Sequence, residues 1–263
     1  MTTNTPVATY FTPQVLLRFA LPNVVMMIFL SLYTIIDGMF ISRLVGALAL
    51  SATNMFYPVT SVQLGIGIML GTGGSAIIAQ NMGAGRHREA KQVFTFLTAF
   101  SAAIGCLLAL LCLFFLKPIL LFLGTSPLQL PDCYTYAFLM LCFSPLMFLQ
   151  VLFQSFFVTA GKPQLGLGLT VLGGIANMVL DYLFMGPLQM GVAGAAIATG
   201  IGYSVPALVG LVYFSVARRG TLYFVRAPLL GRALLRACAN GASEMVSNVA
   251  IAVTTFLFNL IFL

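Results

Sequence analysis

Charge is what this sequence has least of. Only 6% of its 263 residues are charged, whereas a water-soluble domain carries about a quarter. A conventionally solvated surface is therefore excluded. Acid is scarcer than base, with five Asp and Glu against twelve Lys and Arg. The single histidine, His87, lies in a basic loop. No His/Cys/Glu cluster, Walker pattern or G-x-S-x-G accompanies it, so metallohydrolase, ATP-driven and serine-hydrolase chemistry lack their residues. Gly65, Gly67 and Gly71 fall in an apolar run with no strand before it, which removes a dinucleotide loop. The five cysteines form no CxxC pair and mostly sit inside apolar runs. They read as small buried hydrophobes, not as zinc ligands or disulfides. Tryptophan is absent, which leaves Tyr and Phe to form any interfacial belt. The polar stretch Met1 to Pro13 has no basic region or A-x-A site, so no cleavable signal peptide is expected.

What the chain does have is apolar side chain: 60% of residues, with a mean hydropathy of +1.06. Lipid must be the solvent for much of this surface. Spanning runs of about 20 residues are read at 14–42, 48–80, 92–116, 134–158, 164–185 and 191–216, with a seventh at 238–263 that ends with the chain. Gly83-Ala84-Gly85, Gly124 to Pro131, Gly161-Lys162-Pro163 and Gly186-Pro187 fall between runs, where helices should stop. The fold class expected is an all-α membrane protein, a six-helix bundle plus a truncated seventh helix.

The basic residues orient it. Ten of the twelve fall on one side: Arg18, Arg86, Arg88, Lys91, Lys162 and the five arginines from Arg218 to Arg236. Arg43 and Lys117 alone fall on the other. Positive charge gathers on cytoplasmic loops, which places the N-terminus in the cytoplasm of an inner-membrane protein. It also explains the net charge of +7 and pI of about 9.4 without nucleic acid, through membrane lipid as partner. The domains expected are a cytoplasmic segment 1–13, a bundle 14–216, a basic cytoplasmic linker 217–237 that is partly an amphipathic helix, and the cut helix 238–263. Leu16-Leu17-Arg18 before the first run and Leu234-Leu235-Arg236 before the seventh hint at a second, repeated bundle. The apolar ending Leu257 to Leu263 has no polar flank, so a truncated product or fragment is expected.

Three of the five acids, Asp37, Asp181 and Glu244, stand in apolar runs. An intramembrane carboxylate costs about 2.5–3.5 kcal/mol to insert and generally faces a bundle interior or a wet cavity. Asp37 follows Tyr33 by one turn; it is either a cavity carboxylate or an interfacial residue near Arg43. Asn177 and Asp181, four apart, share a helix face with Thr170 and Gly173. Such a stripe faces protein, since small residues permit close approach and polar groups need partners. Gly194, Ala198 and Gly202 form a packing face beside Thr199. That threonine either packs or lends its hydroxyl to the cavity. Gln150 and Gln154 either line a substrate path or bond across helices. Pro22 permits a hinge in the first helix, and Pro58 does the same in the second. Glu244 is either an acid at the start of the seventh helix, complementing its dipole, or part of transport.

Several blocks in order resemble one family. Pro22 through Asp37-Gly38-Met39-Phe40, Gly71 to Gln80 followed by Gly83-Ala84-Gly85, and Asn177 to Asp181 followed by Met190 to Thr199 are similar to MATE (multidrug and toxic compound extrusion) transporters. Asn240-Gly241-Ala242-Ser243-Glu244 resembles the opening of helix seven in the bacterial MepA-like branch. The resemblance implies a twelve-helix antiporter of two six-helix lobes, exporting small organic, often cationic, drugs against inward H+ or Na+ across the bacterial inner membrane. No other cofactor is implied, and it is no enzyme. The positions matching Asp37, Asn177, Asp181 and Thr199 form the cation site of the N-lobe in that family, and the only metal implied is Na+ at those residues. Tyr33, Gln150, Gln154 and Glu244 are assigned to the substrate path. The missing C-terminal lobe is expected to be required for function. A related lipid-linked oligosaccharide flippase should need a basic cavity for pyrophosphate, whereas the intramembrane charges here are acidic. The remaining alternative is a non-transporting fragment.

Overall fold

The computed structural model describes residues 13–216 and 220–261; at 13–20, 22, 23, 26, 27, 30 and 260 it describes backbone alone. The described chain is helical, without strands. Helix α1 (Pro13–Phe40) runs into a π-helical turn (Ile41–Val45). Gly46, at φ 131°, makes the corner into α2 (Ala47–Gly83), a backbone angle that side chains resist. The 37 residues of α2 make it about 55 Å long at 1.5 Å per residue, well beyond a hydrocarbon core of about 30 Å. It holds Pro58 in its interior. Then follow α3 (His87–Phe114), α4 (Leu116–Phe122), α5 (Leu130–Thr159), α6 (Pro163–Met185), α7 (Gly191–Val216) and α8 (Gly231–Ile261). Six of these, α2, α3 and α5 to α8, are each long and apolar enough to cross a membrane.

One local expectation is corrected. The third run does not continue to 116: α3 ends at Phe114 and α4 starts at Leu116. Pro118 has no amide hydrogen to donate to the Phe114 carbonyl, so the chain re-forms a short separate helix. Residues 220–230 have neither helix nor strand, and 231–237 form the first two turns of α8. Pro228, the β-branched Thr221 and Val225 and the aromatic Tyr223 and Phe224 disfavour helix there. This stretch lies over α3: Leu222 is buried, Phe224 stacks on Phe94 at 5.1 Å, and the Val225 amide donates to Thr95 Oγ1 at 3.1 Å.

The bundle centres on α5, which packs on α2, α3, α6 and α7. At one end Phe94, Phe153, Phe156, Phe157 and Phe214 form an interlocked aromatic cluster with centroids 4.8–5.5 Å apart. Tilted rings at such spacings are favourable beyond their buried area. The outside is a belt of exposed Leu107, Leu110, Ile175, Val179 and Val212, as a lipid-facing surface requires.

Between helices the fit depends on absent side chains. A Cβ at Gly173 in α6 would lie 2.6 Å from the Gly202 carbonyl oxygen of α7, and one at Gly202 would lie 3.1 Å from Asn177 Cβ. Membrane helices gain most of their packing from such backbone approach. This contact sets the faces of α6 and α7 that hold the polar residues together. Helix α1 closes over them, with Phe29 seated against Gly174. Helix α8 lies along α2: its backbone at Ala237 and Gly241 occupies the place of a side chain at Gly73, and the α2 backbone at Met69 occupies the place of one at Gly241.

Candidate functional site

The site grows from the α6–α7 contact. Asn177 and Asp181 on α6 and Thr199 on α7 are buried, at 1%, 0% and 5% exposure. Asn177 Nδ2 donates to Thr199 Oγ1 at 3.3 Å. Thr170, on the same stripe, turns its hydroxyl to its own helix and donates to the Gly166 carbonyl at 3.0 Å. From α1, which packs on α6, Asp37 brings its carboxyl group beside that of Asp181. As carboxylates both are acceptors only. Asp37 Oδ1, both oxygens of Asp181 and Asn177 Oδ1 are buried without a donor among the described residues.

A cavity of about 270 Å³ opens beside the pair. Asp37, Tyr33 and Thr199 line it, with Thr53, Asn54 and Tyr57 from α2, Tyr136 from α5 and Tyr203 from α7. A smaller hollow of about 30 Å³ adjoins it, sharing Tyr33 and Tyr203 and adding Gln150. No lysine or arginine is among the residues lining either one. The chemistry of this donor set is one-sided: carboxylate, amide and hydroxyl oxygens converge where no protein cation meets them. Buried acceptors without a donor are costly. A proton bridging the two aspartates, or a hard cation among these oxygens, relieves that cost.

Not every residue singled out in the sequence gathers here. Gln154, one turn beyond Gln150, is partly buried and lines neither cavity. Glu244 is exposed on α8. Its reading as an acid at a helix start is corrected, because α8 begins at Gly231, thirteen residues earlier (244 − 231), and has no acid in its first turn. The helix starts there because Ala233 to Ala237 are good helix formers and the Leu234 amide already donates to the Leu230 carbonyl. The hinge reading of Pro22 concerns a side chain outside the described residues, although α1 is helical through that position. The residues missed were Tyr136, Tyr203, Tyr57, Thr53 and Asn54. A signal for Tyr203 existed, since it follows Thr199 by one turn of the same face. None existed for Tyr136, which arrives from α5 by tertiary packing.

Comparison with known proteins bears on this arrangement. The MatE family model matches residues 22–183, more than half of the chain. Multidrug export protein MepA of Staphylococcus aureus (strain MSSA476) is 27% identical over 202 residues, 76% of this chain and 45% of that protein. The Staphylococcus haemolyticus (strain JCSC1435) protein of the same name is 27% identical over 203 residues, 77% of this chain and 45% of that protein. The chain thus spans about half the length of the curated relatives it matches. Among solved structures, a MATE protein in complex with MaD3S matches with a TM-score of 0.85 at 23% identity, covering 91% of this chain and 54% of that one. An inward-facing multidrug resistance MATE family transporter matches at 0.79 and 24%, covering 86% and 52%. At these identities the structural likeness speaks to the fold. Together with the family match it shows a multi-pass membrane protein with the helical bundle found in MATE structures, and this chain belongs to the MATE family.

Proposed function

We propose that this chain forms the N-lobe of a multidrug exporter of a bacterial inner membrane, in which inward movement of H+ or Na+ drives outward movement of small organic, often cationic, compounds. The bundle 14–216 is that lobe, entered from a cytoplasmic N-terminus, and α8 opens the second lobe that export requires. One observation carries the reading: Asp37 lines a cavity free of lysine and arginine and lies beside Asp181, and buried carboxylate oxygens of both have no donor among the described residues. Asp37, Asn177, Asp181 and Thr199 form the coupling site. Tyr33, Gln150 and the tyrosines around them offer flat, amphipathic surface to a bulky organic cation. The MepA relatives, multidrug export proteins by name, support the substrate class. The absence of basic residues from the cavity lining argues against a pyrophosphate-linked lipid as cargo.

Coupling follows from competition. A bridging proton or Na+ halves the charge of the pair and weakens the attraction that holds an organic cation. The cation in turn disfavours the coupling ion by the same factor, as linkage requires. The experiment uses the intact protein encoded by the source gene. Asp181→Asn should abolish gradient-driven efflux of a dye such as ethidium while membrane insertion stays at the parental level. Efflux at the parental rate removes Asp181 from the mechanism. Repeating the assay with a Na+ gradient in place of a pH gradient tells the two ions apart.

A further inference from the structure

A second concave site lies at the arginine-bearing end of the bundle, away from the aspartate pair. The end of α2, the first turns of α3 and the first turns of α8 enclose about 560 Å³ there. Three arginines line it, Arg86, Arg232 and Arg236, against one acid, Glu89. Arg86 is already paired, with Nε 3.7 Å from Glu89 Oε2, the only ion pair among the described residues. Arg232 and Arg236 are one helical turn apart, a spacing at which like charges repel. Neutral amides from Asn81 and Asn240 complete the wall. The first turns of two long helices, α3 and α8, bring the positive ends of their dipoles to the same place. An ordinary solvated basic loop spreads its charge. Here the α2–α3 corner and the start of α8, more than a hundred residues apart in sequence, converge it into a hollow.

We propose that this cleft binds a phosphate-bearing anion, either the headgroup of an anionic phospholipid in the adjoining leaflet or free phosphate. Arg232 and Arg236 supply planar donor forks for phosphate oxygens, and basic pockets between membrane helices are suited to anionic headgroups. The bound anion bridges α8 to the α2–α3 corner beside the backbone contacts of Ala237 with Gly73 and Met69 with Gly241, so it fastens α8 in the arrangement seen here. The inference does not depend on the exporter reading, because none of these residues lines the aspartate cavity.

The test uses the intact protein in a neutral detergent. Binding of phosphatidylglycerol and phosphatidylcholine is titrated by native mass spectrometry, with and without inorganic phosphate. Phosphatidylglycerol should bind with a Kd roughly tenfold lower than phosphatidylcholine. R232Q/R236Q should lose that preference, and R43Q/K117Q, which removes as much charge at the opposite end, should keep it. If inorganic phosphate instead binds in an Arg232- and Arg236-dependent way and displaces the lipid, the chemistry stands and the source is soluble phosphate. Equal affinity for the two lipids with no response to phosphate overturns the proposal, as does R232Q/R236Q retaining the parental preference. Should the double variant fold poorly, R236Q alone should weaken phosphatidylglycerol binding without changing phosphatidylcholine binding.

Discussion

At the scale of single residues, the polar stripe on α6 is held in place by few bonds, and Thr199 supplies one of them. Its hydroxyl accepts the Asn177 amide at 3.3 Å in a site where both side chains are buried. Thr199→Val keeps the shape and removes the acceptor, leaving an amide donor unsatisfied at a cost of about 1–3 kcal/mol. A lower melting temperature of the purified intact protein is expected, with recovery in Thr199→Ser. An unchanged melting temperature for the valine variant means the bond contributes nothing. The stripe itself was legible from sequence, because spacing by four puts Asn177 and Asp181 on one face and intramembrane acids are rare. Its partner was also visible as an oddity, Asp37 in an apolar run. That the two carboxyl groups share a site was implied by the family resemblance alone, since α1 and α6 are more than a hundred residues apart and nothing in either run encodes the other.

At the scale of helices, glycines set how closely the elements approach. Gly173 sits where a methyl group would come 2.6 Å from a backbone oxygen of α7, which cannot rotate away. Gly168, in the same helix, has open space around it. Gly173→Ala should therefore push α6 from α7, destabilising the bundle by roughly 1–3 kcal/mol and impairing efflux. Gly168→Ala should be neutral or mildly stabilising, since alanine favours helix. Thermal melting of the two variants side by side checks this, and equal behaviour would show that the crossing tolerates separation. The apolar runs anticipated the long helices to within a few residues, except where proline intervened at 118 and where α8 began before the apolar part of its sequence. Hydropathy reports burial in lipid, whereas α8 starts with Arg232 and Arg236 outside that layer.

At the scale of the molecule, the outward belt implies a lipid solvent. Cys106 on α3 and Cys142 on α5 are exposed on the protein surface, yet both lie inside spanning helices. In intact membranes a water-soluble maleimide should leave both unmodified, while a lipid-soluble one labels them. Fast labelling by the water-soluble reagent would place these positions on a water-filled face and redraw the orientation of the bundle. The assay uses the protein encoded by the source gene, since the chain spans about half the length of its curated relatives.

The amino-acid sequence by itself determined that the chain lives in lipid, how many long helices it forms, and which few polar residues are too costly to face the bilayer. Each of those follows from local quantities: apolar run length, the backbone habits of glycine and proline, and the transfer cost of charge. Only the tertiary structure decided that Asp37 reaches Asp181, that Tyr136 and Tyr203 wall the cavity beside them, that Glu244 stands outside it, and that Arg86 meets Arg232 and Arg236 in one hollow. These are contacts between distant segments. They depend on which glycine faces allow which helices to approach, and helical periodicity shows a face without showing what it meets.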